Sequence, residues 1–168
     1  MPKTVESETY ELVKEFDKKY PGSLTWWRLK KHSQLVDRYL QKGEKVIFAI
    51  AGQWCDDDDH DGWLTTGVMA LTTERIIISQ NRFTPGHRVI SIAPKFFNDV
   101  KVRAGAIWGT VTIDTAKEKV WFRKVSRKAL FEVKNTISKY MLEYKIQVMR
   151  PKDADFVGDH TKEGYENK

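Results

Sequence analysis

Asp57, Asp59 and Asp61 stand at alternate positions in CDDDDHDGW, and Gly62 follows them. Carboxylates at that spacing can turn their oxygens onto one hard cation, and the glycine permits the sharp turn that wraps a loop around it. D-x-D-x-D-G is the opening of a calcium loop. The match stops at the twelfth position, which is Val68 where such a loop needs a bidentate glutamate. The stretch also reads as a solvated hairpin loop whose charges discourage pairing at a sheet edge, or as an acidic face for a basic partner. Cys55 and His60 could each bind zinc, but two ligands do not make a tetrahedral site. The neighbouring carboxylates oppose thiolate formation, so Cys55 is expected to be inert.

A second chemistry is carried by positive charge. Arg123, Lys124, Arg127 and Lys128 cluster before an amphipathic stretch, and Arg28, Lys30 and Lys31 form a smaller group. Such clusters suit phosphate or an anionic membrane surface, and they can equally be solvated faces. Lys and Arg at a helix N-terminus oppose its dipole, which favours a use for the denser group. Nucleic acid is not expected, because Trp121 and Phe122 are adjacent and one of them must face a core, leaving little aromatic surface for base stacking. His32, His87 and His160 are scattered. No Ser-His-Asp spacing is present, and GAIWG (105–109) is followed by no helix, so it is not a phosphate cradle. The chain is not expected to be an enzyme, and calcium is the only cofactor the pattern admits.

The elements that must position these residues follow from periodicity. Residues 7–20 predict a helix with Ser7 as N-cap and Leu12, Phe16 and Tyr20 along one face; Pro21-Gly22 stops it. A second helix is expected from Trp26 to Leu40, with Leu29, Leu35, Val36, Tyr39 and Leu40 on its apolar face and Gly43 closing it. KVIFAIAGQW (45–54), GVMALTT (67–73), RIIIS (75–79), RVISIAP (88–94), the stretch from Val100, TVTID (110–114) and KVWFRKV (119–125) read as about seven strands. Their connections are short and hold no helix, which implies an antiparallel sandwich or barrel. In TVTID, Val111 and Ile113 face one way, Thr110 and Thr112 the other. From Arg127 to Ile146, Leu130, Val133, Ile137, Met141 and Tyr144 form one helical stripe that must cover something, and Ser126 can cap its start. Thr72 to Arg75 link two apolar strands, with Glu74 and Arg75 able to pair at the edge. The six tryptophans are expected in the core or stapling hairpins, with Trp27 or Trp63 the candidates for an exposed interface.

GVMALTTERIIIS (67–79), NDVKVRAGAIWGTVTID (98–114) and the final helix together resemble the bacterial pleckstrin-homology-like domains of the YokE-like branch, with a more distant likeness to the GRAM domain. The resemblance spans roughly residues 44–146. It implies a seven-stranded antiparallel barrel capped by a C-terminal helix, and a binding module in place of a catalyst; some members assemble into symmetric oligomers. The basic lipid motif of the eukaryotic relatives lies in the loop after the first strand. Here that loop is CDDDDHDGWLTTG, whose aspartates would repel a phosphorylated headgroup.

The expected layout is an N-terminal two-helix extension (1–43), the pleckstrin-homology-like domain (44–148) and a polar tail (149–168). The 29 Lys and Arg outnumber the 23 Asp and Glu, giving a net charge of +6, which permits acidic partners without identifying one. One cysteine excludes an intrachain disulfide. No apolar run approaches the length of a membrane span, and the N-terminus lacks a signal-peptide core, so a soluble, cytoplasmic protein is expected. The expected partner is another protein or a second copy of the chain. The alternatives are an anionic membrane held by Arg123, Lys124, Arg127 and Lys128, and a cation held weakly by Asp57, Asp59 and Asp61.

Overall fold

A computed structural model describes residues 7–21, 28–55, 65–82 and 86–149. Helix α1 spans Glu8–Lys19 and α2 spans Leu29–Tyr39. Seven strands follow: β1 Val46–Cys55, β2 Thr66–Thr72, β3 Ile76–Asn81, β4 His87–Ile92, β5 Phe97–Ala104, β6 Trp108–Thr115 and β7 Lys119–Ser126. Helix α3, Leu130–Met149, closes the series after a short 3-10 turn at Arg127–Ala129. The strands form one antiparallel sheet in the order β4-β3-β2-β1-β7-β6-β5. The first strand therefore pairs with the last in mid-sheet, and β4 and β5 are the edges.

The sheet encloses the larger core. Ile50, Met69, Leu71, Ile76 and Ile78 come from one half, and Val100, Val111, Ile113, Val120 and Phe122 from the other. Leu130, Val133, Ile137 and Met141 close it from α3, at the three-and-four spacing that puts them on one helical stripe. Each of these large side chains contributes about 1.5–3 kcal/mol when fully buried. The outer face of β1–β3 is buried as well. Ala49, Ala51, Val68, Ala70 and Ile77 meet Val13, Leu29 and Val36 of α1 and α2. Alanines on that face let the helices come close. Burial on both faces is why β1 and β2 read as continuous apolar runs.

Three local details depart from the sequence expectation. Arg75 does not pair with Glu74. Its guanidinium donates to both carboxylate oxygens of Glu44, at 3.0 and 2.9 Å, to Tyr39 O at 2.8 Å and to Ser91 Oγ at 3.0 Å. The Glu44 side chain is fully buried, and Thr72 Oγ1 also donates to it, at 2.6 Å. A two-pronged guanidinium matches a buried carboxylate far better than an edge pair would. Ser126 provides no side-chain cap, because the chain passes into the 3-10 turn first; Ser7 does cap α1, accepting from Tyr10 N at 3.1 Å. Tyr39 is exposed, its hydroxyl 2.9 Å from His87 Nε2.

His32, on α2, is wholly buried and locks that helix to the sheet. Its Nδ1 accepts the Asn81 backbone N–H at 2.8 Å, and its carbonyl accepts from Ser79 Oγ at 2.8 Å. Thr66 Oγ1 lies 3.4 Å from Nε2. Burial, then the charge of Arg28, lowers its pKa from 6.5 to about 4. At the junction with α3, Lys19 Nζ and Tyr20 Oη both donate to Glu132, at 2.6 and 2.5 Å, tying the end of α1 to the C-terminal helix.

Candidate functional site

The basic residues are placed by a fault in the β6–β7 ladder. Gly109 pairs with Val125 and Val111 with Phe122, so Thr110 on β6 stands opposite both Arg123 and Lys124 on β7. This is a β-bulge, and it has a packing cause. Phe122 and Val125 are both fully buried in the core, yet residues three apart on a regular strand point to opposite faces. One extra residue brings both inward, and Lys124 absorbs the kink with a left-handed φ of 57°. For a non-glycine residue that conformation costs about 1–2 kcal/mol.

On the neighbouring ladder Arg103 of β5 pairs with Thr110. Val100 and Val102 pack toward the core, so Arg103 faces outward with Thr110 and Arg123. Arg103, Thr110 and Arg123 thus form a row across three adjacent strands, with the two arginines about 10 Å apart at their backbones. The row is the base of a cleft of about 450 Å3. Lys124 and the β5–β6 turn wall it, with Trp108 beside the turn; Lys124 Nζ lies 4.7 Å from the Trp108 ring centroid. Among the described residues no Asp or Glu lines this cleft. The turn is tight, Gly105 N donating to Trp108 O at 2.8 Å, and it carries Ile107 at its tip, 67% exposed.

The four-residue basic cluster is therefore divided. Arg123 and Lys124 line the cleft. Arg127 and Lys128 are exposed on the 3-10 turn and do not line it. Arg127 braces the β5–β6 turn, its backbone N–H donating to Ile107 O at 3.0 Å and its guanidinium to Ala106 O at 3.4 Å. Arg103, Thr110 and Trp108 escaped the sequence reading. The alternation of β5 points Arg103 outward, but only the strand register brings it beside β7.

Asp57, Asp59 and Asp61 lie outside the described residues, as do His60, Trp26, Trp27 and Trp63. Among the described residues no group of three His, Cys, Asp or Glu side chains could hold a metal ion, and no helix is long and apolar enough to cross a membrane. Cys55 is buried, its thiol 3.9 Å from Gln53 O.

A second surface lies on α3. Opposite its core stripe the helix carries Phe131, Asn135, Ser138, Leu142 and Ile146, which fall along one line at helical spacing. Phe131 is 76% exposed, Leu142 47% and Ile146 59%. The helix is thus apolar on two faces, and only one of them meets the sheet.

The family model for the bacterial PH domain matches residues 40–139. No curated protein matches the chain.

Proposed function

The chain belongs to the bacterial PH domain family, and we propose that it is a non-catalytic interaction module that pairs with a second copy of itself through the outer face of α3. Residues 44–148 form the domain in this reading and residues 1–43 an accessory extension. The observation that carries it is the outer stripe. A surface helix of a self-contained domain has one apolar face, and a second one of large exposed side chains marks a contact surface.

The pattern also indicates which partner. Phe131 and Ile146 are equidistant from the polar midpoint at Ser138 and Lys139. Two α3 helices laid antiparallel would set Phe131 of each against Ile146 of the other, and Leu142 against Asn135. That is the self-complementary arrangement a two-fold interface requires. The stripe runs about 22 Å. One helix pair makes an interface at the low end of the specific range, so a reversible dimer with a dissociation constant on the order of micromolar is expected.

Sedimentation or light scattering of the full chain over a concentration series tests this. A dimer that Phe131→Glu or Leu142→Glu converts to a monomer supports it, and added salt should tighten the dimer by screening two copies of net charge +6. A monomer at every concentration rejects the reading. A dimer indifferent to both substitutions rejects this face.

A further inference from the structure

We propose that the chain's own C-terminal segment docks in a second cleft, with Phe156 seated beneath the last two turns of α3. The inner stripe of α3 continues past its buried members. Leu130, Val133, Ile137 and Met141 are followed, at the same three-and-four spacing, by Tyr144 and Val148. The sheet ends before the stripe does: Tyr144 is half-buried and Val148 is 65% exposed. Under this overhang lies a cleft of about 360 Å3, walled by Ala93 and Pro94 as well as by Tyr144 and Val148. An apolar stripe that outruns the surface it covers marks a further contact.

Position and chemistry select the occupant. Val148 is part of the cleft wall, and residues 150–168, which lie outside the described residues, follow almost directly. Pro151 disfavours helix at Arg150, so α3 does not carry the chain away from the cleft. Phe156 and Val157 are the one adjacent pair of large apolar side chains in that segment. Phe156 is eight residues beyond Val148, within an extended reach of about 26 Å. Asp153 and Asp155 precede it, and Lys95 and Lys145 line the cleft. The Lys95 ammonium lies 4.9 Å from the Phe96 ring centroid, and Lys145 Nζ donates to Phe97 O at 3.2 Å; neither contact supplies a countercharge. Arg75, also on the wall, is held by Glu44. Glu74 is the one carboxylate among the described lining residues, and the segment carries Lys152 to meet it. So short a tether keeps the segment at an effective concentration on the order of millimolar, where even a weak contact is populated. This docking uses the inner side of α3 and does not depend on pairing through the outer stripe.

Nuclear magnetic resonance of the isotopically labelled full chain tests this. The expected result is an Overhauser contact between the Phe156 ring and the Val148 methyls, present at every protein concentration. Phe156→Ser should shift the Val148 methyl resonances while leaving those of the β1–β3 core in place. Lys95→Glu should remove most of the contact, and Asp153→Lys with Asp155→Lys in the same chain should restore it. Lys30→Glu, which reverses an exposed lysine on α2, should leave it unchanged. A mixture of labelled and unlabelled chains separates contacts within one chain from contacts between copies. A contact that appears only between copies, or only as concentration rises, overturns docking of the chain's own segment. So does the absence of any contact from Phe156 to Val148, Tyr144 or Pro94, or a set of Val148 resonances indifferent to Phe156→Ser. A contact that survives Lys95→Glu at full strength overturns the part assigned to charge. Sedimentation of the same samples reports pairing through α3 separately, so either reading can fail without the other.

Discussion

Acidification should loosen the fold through His32 before any carboxylate pair is affected. The ring is buried, and its Nδ1 already accepts the Asn81 N–H at 2.8 Å. A proton on Nδ1 would set a donor against a donor, and a charge would enter an apolar interface next to Arg28. The folded pKa of about 4 lies below the ordinary value of 6.5, so the unfolded chain binds the proton more readily. The stability this neutral histidine confers is fully present above pH 6.5 and is lost progressively as pH falls toward 4. At about 1.4 kcal/mol per pH unit, that interval corresponds to about 3 kcal/mol. Glu44 acts in a lower window. Burial raises its carboxyl, but hydrogen bonds from Arg75, Thr72 and the Gln41 amide and the Arg75 charge bring it net below the ordinary 4.5. Its contribution is present above 4.5 and is lost only below that. Asp17, pushed up by burial, works in the opposite direction. Urea unfolding followed from about pH 7.5 to about pH 4.5 measures the slope. His32→Gln should be less stable near neutrality yet nearly flat across the same window. If wild type and variant lose stability in parallel, the slope does not come from His32 and the reasoning fails.

Two further substitutions probe the frame. Arg75→Ala leaves the Glu44 carboxylate buried with only Thr72 and the Gln41 amide as partners; a loss of about 3–5 kcal/mol is expected, read as a melting point lowered by roughly 10 °C. Gly109→Ala would place a methyl 2.3 Å from Leu130 Cδ1 and 2.7 Å from Arg103 O. The leucine can shift and the backbone oxygen cannot, so denaturant unfolding should show a loss of about 1–3 kcal/mol.

The strands and helices were readable because their side chains carry the period of the surface they cover. Val111 and Ile113 face the core with Thr110 and Thr112 outward, and Leu130, Val133, Ile137 and Met141 form the stripe that α3 presents to the sheet. The same arithmetic contained the outer stripe of α3, since Phe131, Leu142 and Ile146 also fall in line; the inner stripe alone satisfied the need for a core contact. The cleft was only half readable. Arg123 and Lys124 stand together in the chain, but Arg103 reaches them through strand register, which local pattern does not encode. The bulge had a signal in Phe122 and Val125, two large apolar residues at odd spacing, which a regular strand cannot both turn to one face. The partner of Arg75 was hidden for a similar reason, because Glu44 is 31 residues away along the chain.

The two halves of the sheet divide the work unequally. On β1–β3 the outer face is small and apolar and lies beneath α1 and α2. On β5–β7 the outer face carries Lys101, Arg103, Thr110, Thr112 and Arg123, which no described helix covers on that side. This asymmetry follows from where the N-terminal helices dock. Phe16 of α1 enters the main core, and Lys19 and Tyr20 reach Glu132 on α3, so the extension braces the end of α3 nearest Phe131 while leaving the outer stripe open. The cleft on β5–β7 and the outer stripe of α3 are therefore two surfaces that the described helices leave available. They meet at the junction after β7, where Arg127 holds the β5–β6 turn. Through Arg127, movement of that turn has a short physical path to the start of α3.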